Sequence, residues 1–212
     1  MKLIIIIVLF FGSISILGQS NNSITYLDFG LLSKSSIEFK GESTINTFNF
    51  RSESLKGNGA FIIDNFLKDS SYIAEISVDI ESFDSGSDLM NSDMYDALKY
   101  EDYPLINFKL IKINNIEESN SVKKIFNADI KGVLTVGGKS NKMDIIFEIV
   151  MLSDSTFYLK GNKSISMPDF NIDPPSKLFG LIQVDDTLII YFNLYVKFKK
   201  IFFFNSNLSI LK

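Results

Sequence analysis

Apolar and polar side chains alternate along most of this chain from Ile37 onward, and this period of two constrains the fold more than any other feature. The alternation is clearest at residues 74–81, where AEISVDIE places an apolar side chain at every second position. It recurs at residues 37–45, 126–136 and 143–151. Such alternation is typical of strands that turn one face to a core and the other to solvent. The sequence therefore predicts an all-β fold.

Turn signals divide this pattern into roughly eight strands with antiparallel spacing. Gly137 and Gly138 lie between two long strands and predict a tight hairpin, because Gly tolerates the positive φ that hairpin turns require. Residues 88–100 instead have apolar side chains near helical spacing, and we expect Ser92 to cap this one short helix. Residues 169–186 contain a Pro pair and predict a long loop. Further strands are expected at residues 60–64, 105–113, 157–167 and 188–199.

Antiparallel strands in this number favour a closed barrel, because closure removes the exposed strand edges along which proteins aggregate. Small residues at inward positions, namely Gly41, Ser43, Ala60, Ala128 and Gly132, are expected to leave room inside. The chain has 20 Phe residues, which supply an apolar lining or a packed core. An eight-stranded barrel is wide enough either to be filled by side chains or to hold one small ligand. The pattern leaves both alternatives open.

Composition excludes several classes of function. The chain has neither His nor Cys, which excludes a Ser-His-Asp triad, a Cys nucleophile, a zinc site of His and Cys, an iron–sulfur cluster and a disulfide. Its formal charge is −4, with 21 basic residues among 25 acidic ones. A chain of this charge presents no electrostatic footprint for a nucleic-acid backbone, so no nucleic-acid partner is expected.

Paired carboxylates are the remaining candidates for acid–base chemistry. Asp93 and Asp96 would share a face of the predicted helix, where a solvated face explains them, and Asp185 with Asp186 reads as a turn. The oxygen-rich loop at residues 84–88 misses the spacing of a calcium-binding EF-hand. We therefore expect neither an enzyme nor a metal site.

The N-terminus has the order of a secretory signal peptide: Lys2, an unbroken apolar run over residues 3–11, and a small residue at Gly18. The run falls short of the roughly 20 apolar residues that span a bilayer, so we expect no transmembrane span in the mature chain. The predicted organisation is a signal peptide over residues 1–19, one barrel domain over 20–200 and a C-terminal tail over 201–212. The expected location is periplasmic or secreted.

Four segments of this sequence resemble the YceI-like family of exported bacterial proteins. Residues 94–108 (MYDALKYEDYPLINF) resemble that family's helix followed by a YP-x-I-x-F strand start, and residues 132–140 (GVLTVGGKS) resemble its G-x-L-T-[IV]-x-G hairpin. Residues 169–186 resemble its late loop, and residues 36–52 are similar to its first barrel hairpin. The resemblance thus covers residues 36–199. Many relatives carry His or Trp in the first hairpin, where this chain has Asn46, Thr47 and Phe48.

Members of that family have an extended lipocalin-type barrel and include binders of polyisoprenoid lipids. The resemblance therefore implies a lipocalin-like barrel that holds a long apolar lipid of polyisoprenoid or isoprenoid-quinone type, with no other cofactor. Inward apolar side chains would line the binding cavity. The candidate lining residues are Phe39, Ile45, Phe48, Phe50, Phe61, Ile76, Val78, Phe108, Ile130, Leu134, Phe147, Phe170 and Phe179.

A second hypothesis is a structural or stress-associated interaction protein whose barrel is filled and binds no lipid. Such a protein would act through its surface or through the basic and aromatic residues near its C-terminus, Lys197 to Phe204. The two hypotheses differ in whether the barrel interior contains an apolar cavity. The sequence leaves the oligomeric state open, a dimer included.

Overall fold

The computed structural model describes residues 23–64, 69–177 and 181–205, with side chains over 28–60, 74–176 and 181–198. The predicted signal peptide lies outside these residues. Within them, no helix is both long enough and apolar enough to cross a bilayer. The strands are β1 (Ser23–Leu31), β2 (Ser36–Glu42), β3 (Thr47–Ser52), β4 (Leu55–Asp64), β5 (Asp69–Asp79), β6 (Leu105–Asn120), β7 (Ile125–Val136), β8 (Lys139–Ser153), β9 (Thr156–Ser166), β10 (Ser176–Lys177), β11 (Ile182–Gln183) and β12 (Thr187–Asn205). The helix α1 is Asp88–Ala97, and two 3-10 helices are Ile80–Ser82 and Met167–Phe170.

The strands form a closed antiparallel barrel with eight positions around its circumference. Two of these positions are each occupied by a broken strand: β1 and β2 share one position, and β3 and β4 share the next. The two broken strands are neighbours, because β1 pairs with β4 and β2 pairs with β3. The remaining positions are β5, β6, β7, β8, β9 and β12. β12 closes the barrel, because it pairs with β9 on one side and with both β1 and β2 on the other. The predicted all-β barrel with one helix is confirmed.

Buried serine hydroxyls satisfy the backbone where the broken strands interrupt the ladder. Ser35, between β1 and β2, accepts a hydrogen bond from the backbone N–H of Tyr195 at 2.9 Å. Ser52, at the end of β3, accepts one from the backbone N–H of Ser54 at 3.1 Å and lies 2.7 Å from the hydroxyl of Ser82. Both serines are 1% exposed. An N–H without a partner at the half-buried Tyr195 would destabilise the fold, so the Ser35 hydroxyl makes that break tolerable.

Alternation predicts the inner face of β7 and β8 correctly. In β7 the side chains of Phe126, Ala128, Leu134 and Val136 are buried, and in β8 every second residue from Met143 to Ile149 is buried. The hairpin between them turns at Gly137 and Gly138, whose φ angles are +53° and +77°. This predicted hairpin is confirmed.

Three boundaries differ from the sequence prediction. The chain turns at residues 43–46 between β2 and β3, so the alternation does not continue there and Ile45 is 67% exposed. Ser87, rather than Ser92, caps α1, and its hydroxyl accepts from the backbone N–H of Met90. β12 continues through Asn205, which pairs with Ser23, although the sequence suggested a tail from residue 201.

Phenylalanine rings, rather than empty space, cover several inward glycines. A Cβ added at Gly132 would overlap the ring of Phe108 and lie 2.9 Å from the carbonyl oxygen of Lys109. A Cβ at Gly41 would likewise overlap the ring of Phe48. The prediction that Gly41 and Gly132 leave room for a ligand is therefore wrong, because each is the seat of an aromatic ring from the neighbouring strand.

This packing predicts that Gly132→Ala destabilises the protein by about 1–3 kcal/mol, the usual range for overpacking, because the Phe108 ring must leave its place. Urea unfolding followed by circular dichroism measures the change. Adding Phe108→Leu to Gly132→Ala should recover part of the loss, since the shorter side chain relieves the overlap. If the effects of the two substitutions simply add, the ring does not depend on Gly132 in this way.

Candidate functional site

The barrel interior contains two apolar cavities, one at each end. The first, which we call the helix-side cavity, has a volume of about 270 Å³ and lies beneath α1, the turn at residues 43–46 and the described residues Ile172, Pro175, Ile182 and Val184. Met90, Met94, Ala97 and Leu98 of α1 face it. The other walls come from strand residues and from the second 3-10 helix, among them Phe39, Phe48, Phe50, Val78, Leu134, Phe170 and Ile190.

The second, which we call the strand-side cavity, has a volume of about 190 Å³ and is lined by strands alone. β1 contributes Phe29 and Leu31, and residues of β2, β4, β5, β6, β7, β8, β9 and β12 complete the wall. Apart from Asn58 and Glu75, its lining residues are apolar or glycine. Glu75 lies 3.0 Å from Lys109 and is exposed, so its charge is directed to solvent.

The polar groups of the helix-side cavity are Ser43, Asn46 and Asp93. Asp93 is half-buried on α1, and it is the charged side chain among the described residues that line this cavity. Neither Lys nor Arg is among the described residues that line either cavity. The cavities therefore suit an apolar chain, with hydrogen-bonding groups and one carboxylate at the α1 end.

Side-chain hydrogen bonds hold α1 over the barrel end. Asp84 accepts from the Asn91 amide at 3.0 Å and from the Gly86 backbone N–H at 2.8 Å. The Asn91 side-chain oxygen in turn accepts from the backbone N–H of Ser85 at 2.9 Å. The backbones of Asp84 and Arg51 also bond to each other, which ties this loop to β3. The network thereby fixes the start of α1, and with it Asp93 and the methionines.

The other end of α1 is attached through two tyrosines. The hydroxyl of Tyr95 donates to the carbonyl oxygen of Glu81 at 3.1 Å, and burial raises its pKa. The pKa of Tyr100 is raised to about 12, mainly by a hydrogen bond with the Glu81 side chain and to a smaller extent by desolvation. Both phenols therefore stay protonated at neutral pH and serve as hydrogen-bonding groups.

Most of the predicted lining residues lie on the cavities. Phe39, Phe48, Phe50, Val78, Leu134 and Phe170 line the helix-side cavity, Ile130 and Phe147 line the strand-side cavity, and Ile76 and Phe108 line both. The prediction that Ile45 lines the cavity is wrong, because Ile45 lies in the turn at residues 43–46 and its side chain is exposed. The Phe61 side chain and the whole of Phe179 lie outside the described residues. That any of these residues contacts a ligand stays a prediction.

Several wall residues escaped the sequence analysis. Asp93 was assigned to a solvated helix face, although its partial burial brings it to the cavity. Met90 and Met94 follow helical spacing, which shows that they share a face but not that this face covers a barrel. The alternating series from Leu188 to Val196 in β12 gave a clear signal for inward residues, and its Ile190, Phe192, Leu194 and Val196 line the cavities.

A family model described as the YceI-like domain matches residues 31–196. The chain belongs to the YceI-like family. The match agrees with the family resemblance of the sequence motifs. The matched residues include β2 to β11 and the first part of β12. No curated protein sequence matches the chain significantly.

Solved structures share the fold at low sequence identity. Burkholderia cenocepacia BcnA is 18% identical with a TM-score of 0.61, and the match covers 78% of this chain and 98% of that one. A polyisoprenoid binding domain from Saccharophagus degradans, implicated in plant cell wall breakdown, is 16% identical with a TM-score of 0.62, covering 82% and 99%. The Campylobacter jejuni YceI protein is 16% identical with a TM-score of 0.51, covering 68% and 82%.

The loop at residues 84–88, which the sequence analysis compared with a calcium-binding loop, has a structural role at the start of α1. Among the described residues, no group of three or more acidic side chains converges as a metal site would require. Hydrogen bonds from the Asn91 side chain and from the Gly86 backbone hold the pKa of the Asp84 carboxyl below its usual value of 3.8. Asp84 is thus a structural acceptor within the loop.

The lowered pKa of Asp84 predicts an acid-dependent contribution to stability. Because the folded-state pKa lies below the unfolded one, the contribution is present above pH 3.8 and is lost as the pH falls through the folded pKa. Asp84→Asn keeps the acceptor oxygen but does not titrate, so this variant should lose less stability than the wild type on acidification. Urea unfolding at pH 6 and at about pH 2.5 compares the two. Equal losses would contradict the role of the Asp84 charge.

Proposed function

We propose that this protein is an exported binding protein that holds a long apolar lipid, of polyisoprenoid or isoprenoid-quinone type, inside its barrel. The observation that carries the proposal is the pair of apolar cavities enclosed by a closed barrel. A chain that enters them leaves water, and burial of apolar surface contributes about 25 cal/mol per Å². A relative with the same fold is described as a polyisoprenoid binding domain, which supports this class of ligand.

Binding fits these cavities better than catalysis does. Acid–base chemistry needs at least one titratable group placed against a reacting atom, and usually a second group that orients it. Asp93 is the acidic side chain among the described residues that line the helix-side cavity, and neither Lys nor Tyr is among those residues. The alternative of an interaction protein with a filled barrel predicts that no lipid accompanies the protein.

Native mass spectrometry of protein purified gently from its own host tests the proposal. We expect a discrete mass excess that solvent extraction releases as a polyprenyl or quinone-like lipid. The N-terminus of the same sample tests export, because signal-peptide cleavage should leave a chain that begins near Ser20. A bare mass that persists after delipidated protein is offered polyprenols and isoprenoid quinones would overturn lipid binding and favour the filled-barrel alternative.

The charges at the helix-side cavity predict an uncharged lipid head group. A phosphate that enters this cavity loses hydration, neither Lys nor Arg is among the described lining residues to pair with it, and the Asp93 carboxylate on this wall has the same sign of charge. We therefore expect wild-type protein to bind a polyprenol more tightly than the polyprenyl phosphate of equal length. Fluorescence competition with an apolar probe measures both.

Two neighbouring carboxylates on α1 provide the control. Asp93→Asn should narrow the difference between alcohol and phosphate by about tenfold, the effect of 1.4 kcal/mol. Asp96→Asn removes the same charge from an exposed position outside the cavity wall and should leave the difference as it is. Equal binding of the two lipids by wild-type protein would show that Asp93 does not face the head group.

A further inference from the structure

Four side chains border both cavities: Ile37, Ile76, Phe108 and Phe192. They occur as two pairs in direct register, Ile76 opposite Phe108 between β5 and β6, and Ile37 opposite Phe192 between β2 and β12. The two pairs come from separate parts of the barrel wall, because β3 with β4 lies between them on one side and β7, β8 and β9 on the other. They form a partition between the helix-side and strand-side cavities.

The partition decides whether the interior is two small spaces or one long one. Pockets that hold small-molecule ligands have volumes of about 300–1,000 Å³. The helix-side cavity, at about 270 Å³, and the strand-side cavity, at about 190 Å³, each fall below this range, whereas the two joined fall within it. A lipid tail that stops at the partition has only the helix-side cavity to fill.

Ile76 and Phe108 are the half-buried members of the partition, and Phe108 has the larger side chain of the two. Phe192 is 6% exposed and its ring centroid lies 5.7 Å from that of Phe147, while Ile37 is 9% exposed. Phe108 is only half-buried although it points into the barrel, so its ring borders open volume. The ring rests over Gly132, where the missing Cβ provides its place. A rotamer change that moves this ring would open the partition without breaking any backbone hydrogen bond.

We infer that this partition sets the length of lipid tail that the protein prefers, with Phe108 as the specificity-determining residue. Tails that end at the partition fill the helix-side cavity. A longer tail must displace the Phe108 ring before its further prenyl units can enter the strand-side cavity. The inference rests on the proposed function, and it assigns a chain-length limit to that binding site. It requires neither a charged nor a polar group, since the walls on both sides of the partition are apolar.

A series of polyprenols of increasing length tests the partition by direct titration of delipidated protein. For the wild type we expect affinity to rise with tail length and then to level off once the tail reaches the partition. For Phe108→Ala the affinity should continue to rise beyond that length, with a gain of at least about tenfold over wild type for the longest tails, because the added units then enter the strand-side cavity.

Phe108→Leu is the second variant, because truncation to Ala in a barrel wall risks loss of folding. Its levelling-off point should also move to longer tails. Phe126→Leu is the matched control: Phe126 is an inward residue of β7 that is 1% exposed but lines neither cavity, so its levelling-off point should equal that of the wild type. Circular dichroism verifies that each variant is folded.

The outcomes separate the two proposals. Wild-type and Phe108 curves that superimpose over the whole series would overturn the partition while leaving lipid binding in place. A wild-type affinity that rises without levelling off would overturn it as well. If the wild type binds no polyprenol of any length, the proposed function itself fails, and the chain-length limit fails with it.

Discussion

The pairing of β12 with three other strands is the constraint on which the rest of the structure depends. Residues 187–197 of β12 form a ladder with β9, residues 189–193 pair with β2, and residues 196–205 pair with β1. A single strand thereby joins the last hairpin to both halves of a broken first strand. Closure in this way leaves the barrel with an inside, and it turns Ile190, Phe192, Leu194 and Val196 toward both cavities. A sheet left open at this seam would expose the same side chains to water and two free edges to other chains.

Glycine and phenylalanine together decide how the interior volume is distributed. Phe48 covers Gly41 and Phe108 covers Gly132, in each case across a pair of neighbouring strands. A ring held over a glycine packs against the barrel wall, and both rings still border a cavity. Other small residues, such as Ser43 and Ala128, line the cavities themselves. Gly41 and Gly132 provide space in the wall for part of each ring, which a bulkier residue at either position would push further into the interior.

The sequence predicts the fold well because its signal is local. Alternation identifies the inner faces of β7 and β8, and a pair of glycines identifies the hairpin between them. The same reasoning fails at Ile45, where four residues of turn interrupt the period, and a slip of this kind reverses a side chain from inside to outside. It cannot show that Gly132 lies beneath Phe108 or that Asp93 closes a cavity, because both facts depend on register between strands and on where α1 rests. The periodicity of a β-strand shows which side chains share a face of that strand. To locate a binding site, one must also know which residues of other elements lie opposite that face.

The walls of the helix-side cavity differ in how they are held, and this difference bears on how a ligand enters. A strand wall such as the one around Leu134 is fixed by backbone ladders on both sides, so widening it costs several hydrogen bonds at once. Helix α1 has no ladder to the barrel and is attached through the side chains of Asp84, Asn91 and Tyr95 together with its flanking loops. Segments held by few, partly exposed contacts open at lower free energy than the ladders they cover. Compared with the strand walls held on both sides, α1 therefore moves at a smaller cost, and it carries the carboxylate and the methionines that an entering lipid would meet.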